Sequence, residues 1–327
     1  MKRLSLALGT AVCLAAPSFA DDGSAELGAG GIVFTKSADI SMAREDLYLS
    51  PQKVRVRFEF RNTGADQDVT IAFPLPDLDI ENFQSSEIGT VGDDPLNFVG
   101  FTATVNGKAV AFQSEQKAFI AGKDVSAQIR AAGLPLNLTA KGGYDLLDKL
   151  PEATRKTLVK DGIVDYEDNH VEPLWTVRTR FYWHQHFAAG KTVVIAHSYA
   201  PVTGGSQYYD SKDAPVSQEG WVEPFCLSKS DIGFLKTMLD HPNLRQPLQD
   251  GLTEGMLLGE VTDYVLKTAN TWKGPIGHFH LTLDKLDARR ALMLCWRGDL
   301  KKTGPTTFEF SADNFTPTQD IHMAVLR

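Results

Sequence analysis

The sequence predicts a mostly-β protein whose antiparallel strands form a β-sandwich. Two features lead to this fold class. Apolar and polar residues alternate in many short runs, as they do in strands with one buried face. Clusters of glycine, proline, asparagine and aspartate separate these runs at short intervals, which favours a sandwich over a parallel α/β sheet with long crossover helices.

The central stretch of the chain, residues 45–77, holds the two clearest strands. Residues 53–61 alternate with a period of two, so polar residues face one side and apolar residues the other. The apolar face of both runs consists of Val54, Val56, Phe58, Phe60, Val69, Ile71 and Phe73. Residues 62–68 tolerate turn geometry and join the runs, so the sequence predicts a hairpin that ends at the FPLP motif, residues 73–76.

Similar alternation predicts further strands along the chain. They span residues 31–35, 40–49, 98–105, 109–112, 174–181, 191–199, 261–266, 278–283, 291–296, 306–310 and 321–326. Asn106-Gly107 favours a hairpin turn between two of these strands. The aromatic set that includes Trp175 is expected to be buried, and His197 lies on an apolar strand face, where a core histidine is expected.

The periodicity changes in residues 117–165, which we interpret as a helical insertion between strands. Helices are predicted at residues 126–132 and 144–150, and a third begins at Pro151 and ends near Gly162. The insertion is expected to cover a sheet edge, with a lid over a site as the alternative. A later helix at residues 230–239 is predicted to begin at Ser230 as its cap, with Asp231 in its first turn.

The first 20 residues predict a signal peptide for export. Lys2 and Arg3 precede a short apolar run, and the small residues Ser18 and Ala20 favour cleavage after Ala20. The apolar run is too short to span a bilayer, which requires ~20 residues, and no later segment of the sequence is apolar enough to insert. We therefore expect a periplasmic protein in which residues 21–327 form one sandwich or two sandwich halves.

The acidic composition argues against some partners. The formal net charge is −8, and cleavage removes the positive charges of Lys2 and Arg3. This balance disfavours binding to nucleic acid and to anionic membrane surfaces. We expect a partner to be another periplasmic or cell-envelope protein, and the sequence predicts no cofactor.

The cysteines predict one disulfide. Cys13 is removed with the signal peptide, which leaves Cys226 and Cys295 as an even pair in an oxidising compartment. A redox or metal-binding thiol pair is the alternative, but these two cysteines lack Cys-x-x-Cys spacing.

Two His-x-His pairs are the clearest candidates for chemistry. Residues two apart share one face of a strand, so His184 with His186, and His278 with His280, could each present two imidazoles to a metal. Together the pairs could supply four nitrogen ligands if their strands are neighbours. The alternative is two independent pairs of surface histidines.

Two further clusters are candidates for binding. Tyr208 and Tyr209 lie in a glycine-rich loop, and their rings could stack on a sugar or a peptide. Asp77, Asp79 and Glu81 could bind Ca²⁺, although a solvated strand edge is favoured because the glycine turn of a calcium loop is missing. The sequence contains no Gly-x-Ser-x-Gly elbow, P-loop or His-Glu-x-x-His motif, so no catalytic residue is predicted.

A series of short motifs is spread over the mature chain. They are EDL at 45–47, SPQKVRV at 50–56, FPLP at 73–76, Trp183 with Phe187, HSYAP at 197–201 with Gly204, Phe225-Cys226, TWKGPIG at 271–277, Leu294-Cys295 and Thr307-Phe-Glu309. Together they resemble the DUF4424 family of exported bacterial proteins. The resemblance implies an immunoglobulin-like β-sandwich, and it implies no activity. In the first half, FPLP and Thr104-Val-Asn-Gly-Lys108 also resemble the VIT domain, a secreted β-sandwich associated with protein interaction.

The sequence therefore predicts an exported binding or structural protein without enzymatic activity. The alternative is a metal-binding protein or metal-dependent enzyme that uses the paired histidines. A third hypothesis is carbohydrate or peptide binding through Tyr208 and Tyr209, which predicts an exposed aromatic platform beside a groove and fails if both rings are buried.

Overall fold

The computed structural model of this 327-residue chain describes residues 23–28, 31–81, 92–140, 142–212, 215–241 and 255–327. The predicted signal peptide, with Cys13 and the cleavage position, lies outside these residues. Within them, no helix is long and apolar enough to cross a membrane.

Strands dominate the described residues. In the first part of the chain they are β1 (Gly23–Gly28), β2 (Gly31–Phe34), β3 (Ile40–Ser50), β4 (Lys53–Asn62), β5 (Gln67–Pro74), β6 (Leu78–Asp79), β7 (Thr102–Val105), β8 (Lys108–Ala109), β9 (Gln113–Ile120) and β10 (Lys123–Asp124). In the second part they are β11 (Val164–Glu167), β12 (His170–Pro173), β13 (Thr176–Phe187), β14 (Thr192–Tyr199), β15 (Gly204–Tyr208), β16 (Leu257–Tyr264), β17 (Ile276–Asp284), β18 (Ala291–Leu294), β19 (Lys301–Lys302), β20 (Thr307–Phe315) and β21 (Ile321–Leu326). The predicted mostly-β composition is confirmed.

Helices are few and short. They are α1 (Ser126–Ala131), α2 (Asp145–Asp148), α3 (Glu152–Lys160) and α4 (Lys229–Asp240). A π-helical turn, Gln218–Val222, precedes α4, and a 3-10 turn, Lys267–Thr271, precedes β17. The predicted insertion begins at residue 117, but this residue lies within β9, which pairs with β13. The helices therefore begin only after β10.

The strands form three main sheets. The seven-stranded sheet has the order β10-β9-β13-β5-β1-β2, with β6 also paired to β13, and the eight-stranded sheet has the order β19-β20-β17-β3-β4-β14-β7-β8. The four-stranded sheet has the order β15-β16-β21-β18, and β11 pairs with β12 alone. The described pairs are antiparallel, as expected, except that β3 and β17 are parallel.

The seven-stranded and eight-stranded sheets pack face to face around one core. The ring of Phe60 on β4 lies 6.2 Å from that of Phe187 on β13, and the ring of Phe73 on β5 lies 5.0 Å from that of His197 on β14. The predicted inward set is buried, including Trp175 and His197. Because apolar burial is the main favourable term in folding, this shared core fixes the two sheets against each other.

The predicted hairpin of residues 53–73 is wrong. β4 lies between β3 and β14 in the eight-stranded sheet, whereas β5 lies between β1 and β13 in the seven-stranded sheet. Alternation identifies the buried face of a strand but not its hydrogen-bonded neighbour. Two strands that face the same core from opposite sheets have the same pattern as a hairpin.

Asn62 holds the crossover between the two sheets. Its buried side-chain amide donates to the carbonyl oxygens of Ala65 at 2.7 Å and Phe187 at 2.9 Å. Its Oδ1 accepts from the backbone N–H of Gly64 at 2.9 Å and from Gln67 Nε2 at 3.3 Å. The amide therefore satisfies backbone groups that the crossover would otherwise leave unpaired.

Two local predictions have different outcomes. The Asn106-Gly107 hairpin is confirmed, since β7 pairs with β8 and both turn residues have positive φ, 49° and 77°. The predicted cap of α4 is wrong, because the cap is Ser228, two residues before Ser230. The hydroxyl of Ser228 accepts from the Asp231 N–H and the Asp231 carboxylate accepts from the Ser228 N–H, a capping box that satisfies two free donors.

A second, smaller core lies between the four-stranded sheet and α4. Tyr208, Trp221, Phe225, Leu235 and Leu326 are among its buried residues. Cys226, just after the π-helical turn, is bonded to Cys295, just after β18, with Cα atoms 5.0 Å apart. The predicted disulfide is confirmed, and such bonds are typical of extracytoplasmic proteins.

Removal of the disulfide is expected to destabilise the protein. The bond closes a loop with a sequence separation of 69, and the chain-entropy model gives about 4 kcal/mol for such a loop. We expect the double variant C226S/C295S to have a free energy of unfolding lower by up to that amount, measured by urea denaturation. Reductant should shift the wild-type midpoint and leave that of the variant unchanged; equal midpoints for both proteins without reductant contradict the prediction.

The amide of Asn62 is expected to be required for the crossover. Asn62→Leu keeps the approximate volume and removes the hydrogen bonds, so carbonyls of Ala65 and Phe187 lose their donor. Each buried polar group left unpaired costs about 1–3 kcal/mol, and we expect a loss of this order in thermal or urea unfolding. The control is Thr63→Ser, which alters an exposed residue of the same loop and keeps the hydroxyl that bonds the Asp39 carbonyl. A control loss as large as that of N62L contradicts a specific role for the amide.

Candidate functional site

The outward face of the eight-stranded sheet carries two rows of aligned side chains. These residues alternate with the buried ones on six neighbouring strands. One row is Ser311, His280, Asp46, Arg57, Ala196 and Thr104. The other is Glu309, Thr282, Tyr48, Arg55, Ser198 and Thr102. Residues directly opposite each other on paired strands are close neighbours, so each row is a continuous line of side chains.

A depression of about 400 Å³ lies over the middle of these rows. We call its outward-pointing lining the polar face. It consists of Asp46, Tyr48, Arg55, Arg57, Thr102, Thr104, Ala196, Ser198, His280 and Thr282. The small side chains of β14 lie between the arginines of β4 and the threonines of β7, which explains why the surface is concave there.

Hydrogen bonds hold several side chains of the polar face in place. The hydroxyl of Tyr48 donates to Asp284 at 2.9 Å, and burial together with this hydrogen bond raises the pKa of Tyr48. The imidazole of His280 lies 2.8 Å from the Ser311 hydroxyl through Nδ1 and 3.3 Å from the Thr282 hydroxyl through Nε2. These contacts give the face a fixed array of donors and acceptors, which is what orients a polar ligand.

Each histidine of the two His-x-His pairs contacts the residue opposite it on the next strand. On β13, Nδ1 of His184 lies 3.2 Å from the Thr70 hydroxyl and Nδ1 of His186 lies 2.9 Å from Asp68. On β17, Nδ1 of His278 lies 2.7 Å from Asp313, and His280 contacts Ser311 as described above. Each histidine of the His-x-His pairs is therefore placed opposite a hydrogen-bonding residue on the neighbouring strand. Such cross-strand pairs stabilise a sheet.

The structure does not bring the two pairs together. His184 and His186 extend from the outer side of the seven-stranded sheet, whereas His278 and His280 extend from the outer side of the eight-stranded sheet. The shared core separates these sides, and metal-bound nitrogens must lie ~2 Å from their ion. A four-histidine site is therefore not formed. Over the described parts of the chain, no group of three or more histidine, cysteine or acidic side chains is arranged to hold a metal ion.

The two tyrosines do not form an exposed platform. Tyr208 is fully buried in the second core, where its ring lies 5.4 Å from that of Trp221, and burial raises the pKa of Tyr208 to about 12. Tyr209 is 39% exposed, and its hydroxyl contacts Gln207 and Met256. Tyr208 is the last residue of β15 and Tyr209 follows it outside the strand, so the two rings have different environments.

A second cavity, of about 160 Å³, is more apolar. It lies beside the FPLP motif and the loop after β14, and it also borders β16. Leu75, Pro201, Val202 and Val261 are among its apolar lining residues. Asp77 and Asp79 reach it from the predicted acidic cluster, and the carboxylate of Asp77 pairs with Arg178 at 3.0 Å.

The sequence pattern does not reveal the polar face as a site. It identified the outward set of β4, to which Arg55 and Arg57 belong, as the exposed side of a strand. The remaining residues of the face come from β3, β7, β14 and β17, which are far apart in the sequence. The His-x-His pattern includes one residue of the face, His280, and three of the family motifs include Asp46, Arg55 and Ser198.

The motifs that carry the family resemblance lie mostly in the core. The ring of Phe73, from FPLP, lies 5.0 Å from His197 and 5.6 Å from Tyr199, both from HSYAP. Trp183 lies 5.5 Å from His197. These residues join the two sheets, whereas the outward residues of three motifs, Asp46, Arg55 and Ser198, belong to the polar face.

Comparisons with solved structures find remote likenesses. A candidate nutrient binding protein from Legionella pneumophila has 16% identity and a TM-score of 0.43, with 89% of this chain and 68% of that chain covered. An M1 zinc metallopeptidase from Deinococcus radiodurans has 9% identity and a TM-score of 0.22, with 89% of this chain and 43% of that chain covered. These scores are too low to transfer a fold or a ligand.

The search of curated proteins finds no match. The family model described as a domain of unknown function, DUF4424, matches residues 20–324, which is nearly the whole chain. The chain therefore belongs to the DUF4424 family.

Proposed function

We propose that this is an exported periplasmic protein that binds a polar ligand on its polar face and does not act as an enzyme. The observation that carries the proposal is the depression of about 400 Å³, which is lined by guanidinium, hydroxyl, phenol and imidazole groups and by the carboxylate of Asp46. Most small-molecule sites are concave and place a few polar groups to orient their ligand. The polar and charged side chains at these positions favour a ligand that carries hydrogen-bonding groups.

The dimensions of the rows favour an elongated ligand. Six strands contribute to each row, and neighbouring strands lie ~4.8 Å apart, so a row extends about 24 Å. A chain of several sugar or amino-acid units fits this length. Saccharides and peptides are both common in the bacterial periplasm. A segment of another periplasmic or cell-envelope protein is an example of such a peptide.

We also propose an immunoglobulin-like fold and a periplasmic location for the protein. The two packed sheets are compatible with the immunoglobulin-like sandwich that the family resemblance implies, and residues 21–327 then form one sandwich region with a helical insertion. Residence in the periplasm is supported by the disulfide between Cys226 and Cys295, and export would be accompanied by cleavage of the predicted signal peptide after Ala20.

The polar face is expected to lose its ligand when the depression is filled. Ala196→Trp places a large ring on its floor, whereas Thr192→Trp is the matched control on the same strand and side but outside the depression. The three proteins are isolated from the periplasm without dialysis, and the small molecules released on denaturation are profiled by mass spectrometry. We expect a hydrophilic compound with wild type and T192W and none with A196W. Identical profiles for all three proteins contradict the proposal.

The alternative is a metal-binding protein in which each histidine pair acts by itself. We expect the native mass of mature protein, purified without metal or chelator, to equal residues 21–327 less the two hydrogens of the disulfide. An added mass of zinc or copper, lost in the variant H184A/H280A, contradicts this expectation and favours the metal alternative. The variant H170A is the control, since His170 lies on β12, away from both pairs.

A further inference from the structure

Two arginines of β4, Arg55 and Arg57, belong to the polar face, and Arg44 of β3 lies beside it. The charges of Arg44 and Arg57 are neutralised. Arg44 donates through Nε and Nη2 to both carboxylate oxygens of Asp46, each at 2.7 Å. Arg57 lies 2.7 Å from Glu59 and 3.7 Å from Asp46. The charges of Arg44 and Arg57 are therefore balanced by carboxylates of the same sheet, which leaves Arg55 to be considered.

Arg55 has a different environment. Its guanidinium lies over the ring of Tyr48, with the central carbon 4.4 Å from the ring centroid, and the side chain is exposed. Among the residues that the structure describes, no carboxylate forms an ion pair with it. Stacking on a ring uses the flat surface of a guanidinium and leaves the N–H groups at its edge available to acceptors. Arg55 is thus a positioned cation with unused donors.

Tyr48 itself is well anchored. Its hydroxyl donates to Asp284 at 2.9 Å, so the ring under Arg55 has a fixed orientation. A preorganised side chain loses less conformational freedom when a ligand binds. The stacked Arg55 therefore binds a ligand at a smaller cost in conformational entropy than a freely rotating arginine would.

Hydroxyl groups continue from Arg55 along the row. Ser198 is directly opposite Arg55 on β14, and Thr102 is opposite Ser198 on β7. The Thr102 hydroxyl donates to the Ser198 carbonyl at 3.1 Å, whereas the Ser198 hydroxyl has no hydrogen-bond partner within the described ranges. Ser198 therefore lies beside Arg55 on β14, whereas the guanidinium lies over Tyr48 on the other neighbouring strand, β3.

We propose that the ligand of the polar face carries an oxyanion, a carboxylate or a phosphate, which binds to the N–H groups of Arg55. This inference rests on the proposed function. A guanidinium can donate two parallel hydrogen bonds to a carboxylate or a phosphate, which gives both strength and geometric specificity. The chain has a net charge of −8, so a cation without an ion-paired carboxylate among the described residues is a distinctive feature of this depression.

Isothermal titration calorimetry of the mature protein at low ionic strength tests the inference, because salt screens exposed charges. The probes are inorganic phosphate, trigalacturonic acid as a hydroxylated carboxylate, and galactotriose as its uncharged counterpart. The variants are R55Q and R55K. The control is R61Q, which removes the same charge from the same side of β4 outside the depression.

We expect wild type and R61Q to bind at least one anionic probe, and R55Q to bind it roughly tenfold more weakly or worse, since hydrogen bonds between charged groups are strong. R55K should lie between them because lysine keeps the charge and loses the fork. Binding of phosphate alone identifies a phosphate ligand, and binding of trigalacturonic acid alone identifies a carboxylate ligand.

Two results overturn the inference. One is an unchanged affinity in R55Q, and the other is a lack of anion binding by wild type. If galactotriose binds equally to wild type and R55Q but not to A196W, the polar face keeps its proposed function and only the oxyanion site is rejected.

Discussion

The crossover at Asn62 is the constraint on which the two-sheet arrangement depends. The chain leaves β4 in one sheet and enters β5 in the other within a few residues, so several backbone groups lose the partners that a hairpin would give them. The amide of Asn62 replaces those partners on both sides, since it bonds the crossover loop and also the end of β13. The sheets can then present β4 and β5 to the same core from opposite directions.

A second constraint closes the eight-stranded sheet. β17 pairs in parallel with β3, and this pairing brings the C-terminal part of the chain beside the N-terminal part. At this point a Cβ on Gly277 would lie 2.5 Å from the carbonyl oxygen of Ala43, so the close approach requires glycine. The polar face depends on the same pairing, because it aligns His280 with Asp46 and Thr282 with Tyr48.

Sequence periodicity predicted which side of each strand is buried, and the core confirms it at Phe58, Phe60 and Phe181. Local chemistry was also sufficient for the Asn106-Gly107 turn and for the disulfide. The partners of each strand could not be predicted, because pairing depends on contacts between residues that are distant in sequence. The same limit hid the polar face and made the two His-x-His pairs suggest a shared site, although each histidine contacts its own cross-strand neighbour.

The inward side of the eight-stranded sheet packs in the core, and its outward side forms the polar face. The inward residues of β14, His197 and Tyr199, pack with Phe73 and belong to the motifs that carry the family resemblance. The outward residues of the same strand, Ala196 and Ser198, line the polar face. Because neighbouring residues of a strand point to opposite sides, an outward substitution leaves the core packing intact. Three family motifs contain both sets, since Asp46, Arg55 and Ser198 of the polar face alternate within them with buried residues. These motifs therefore combine core packing with groups of the candidate site.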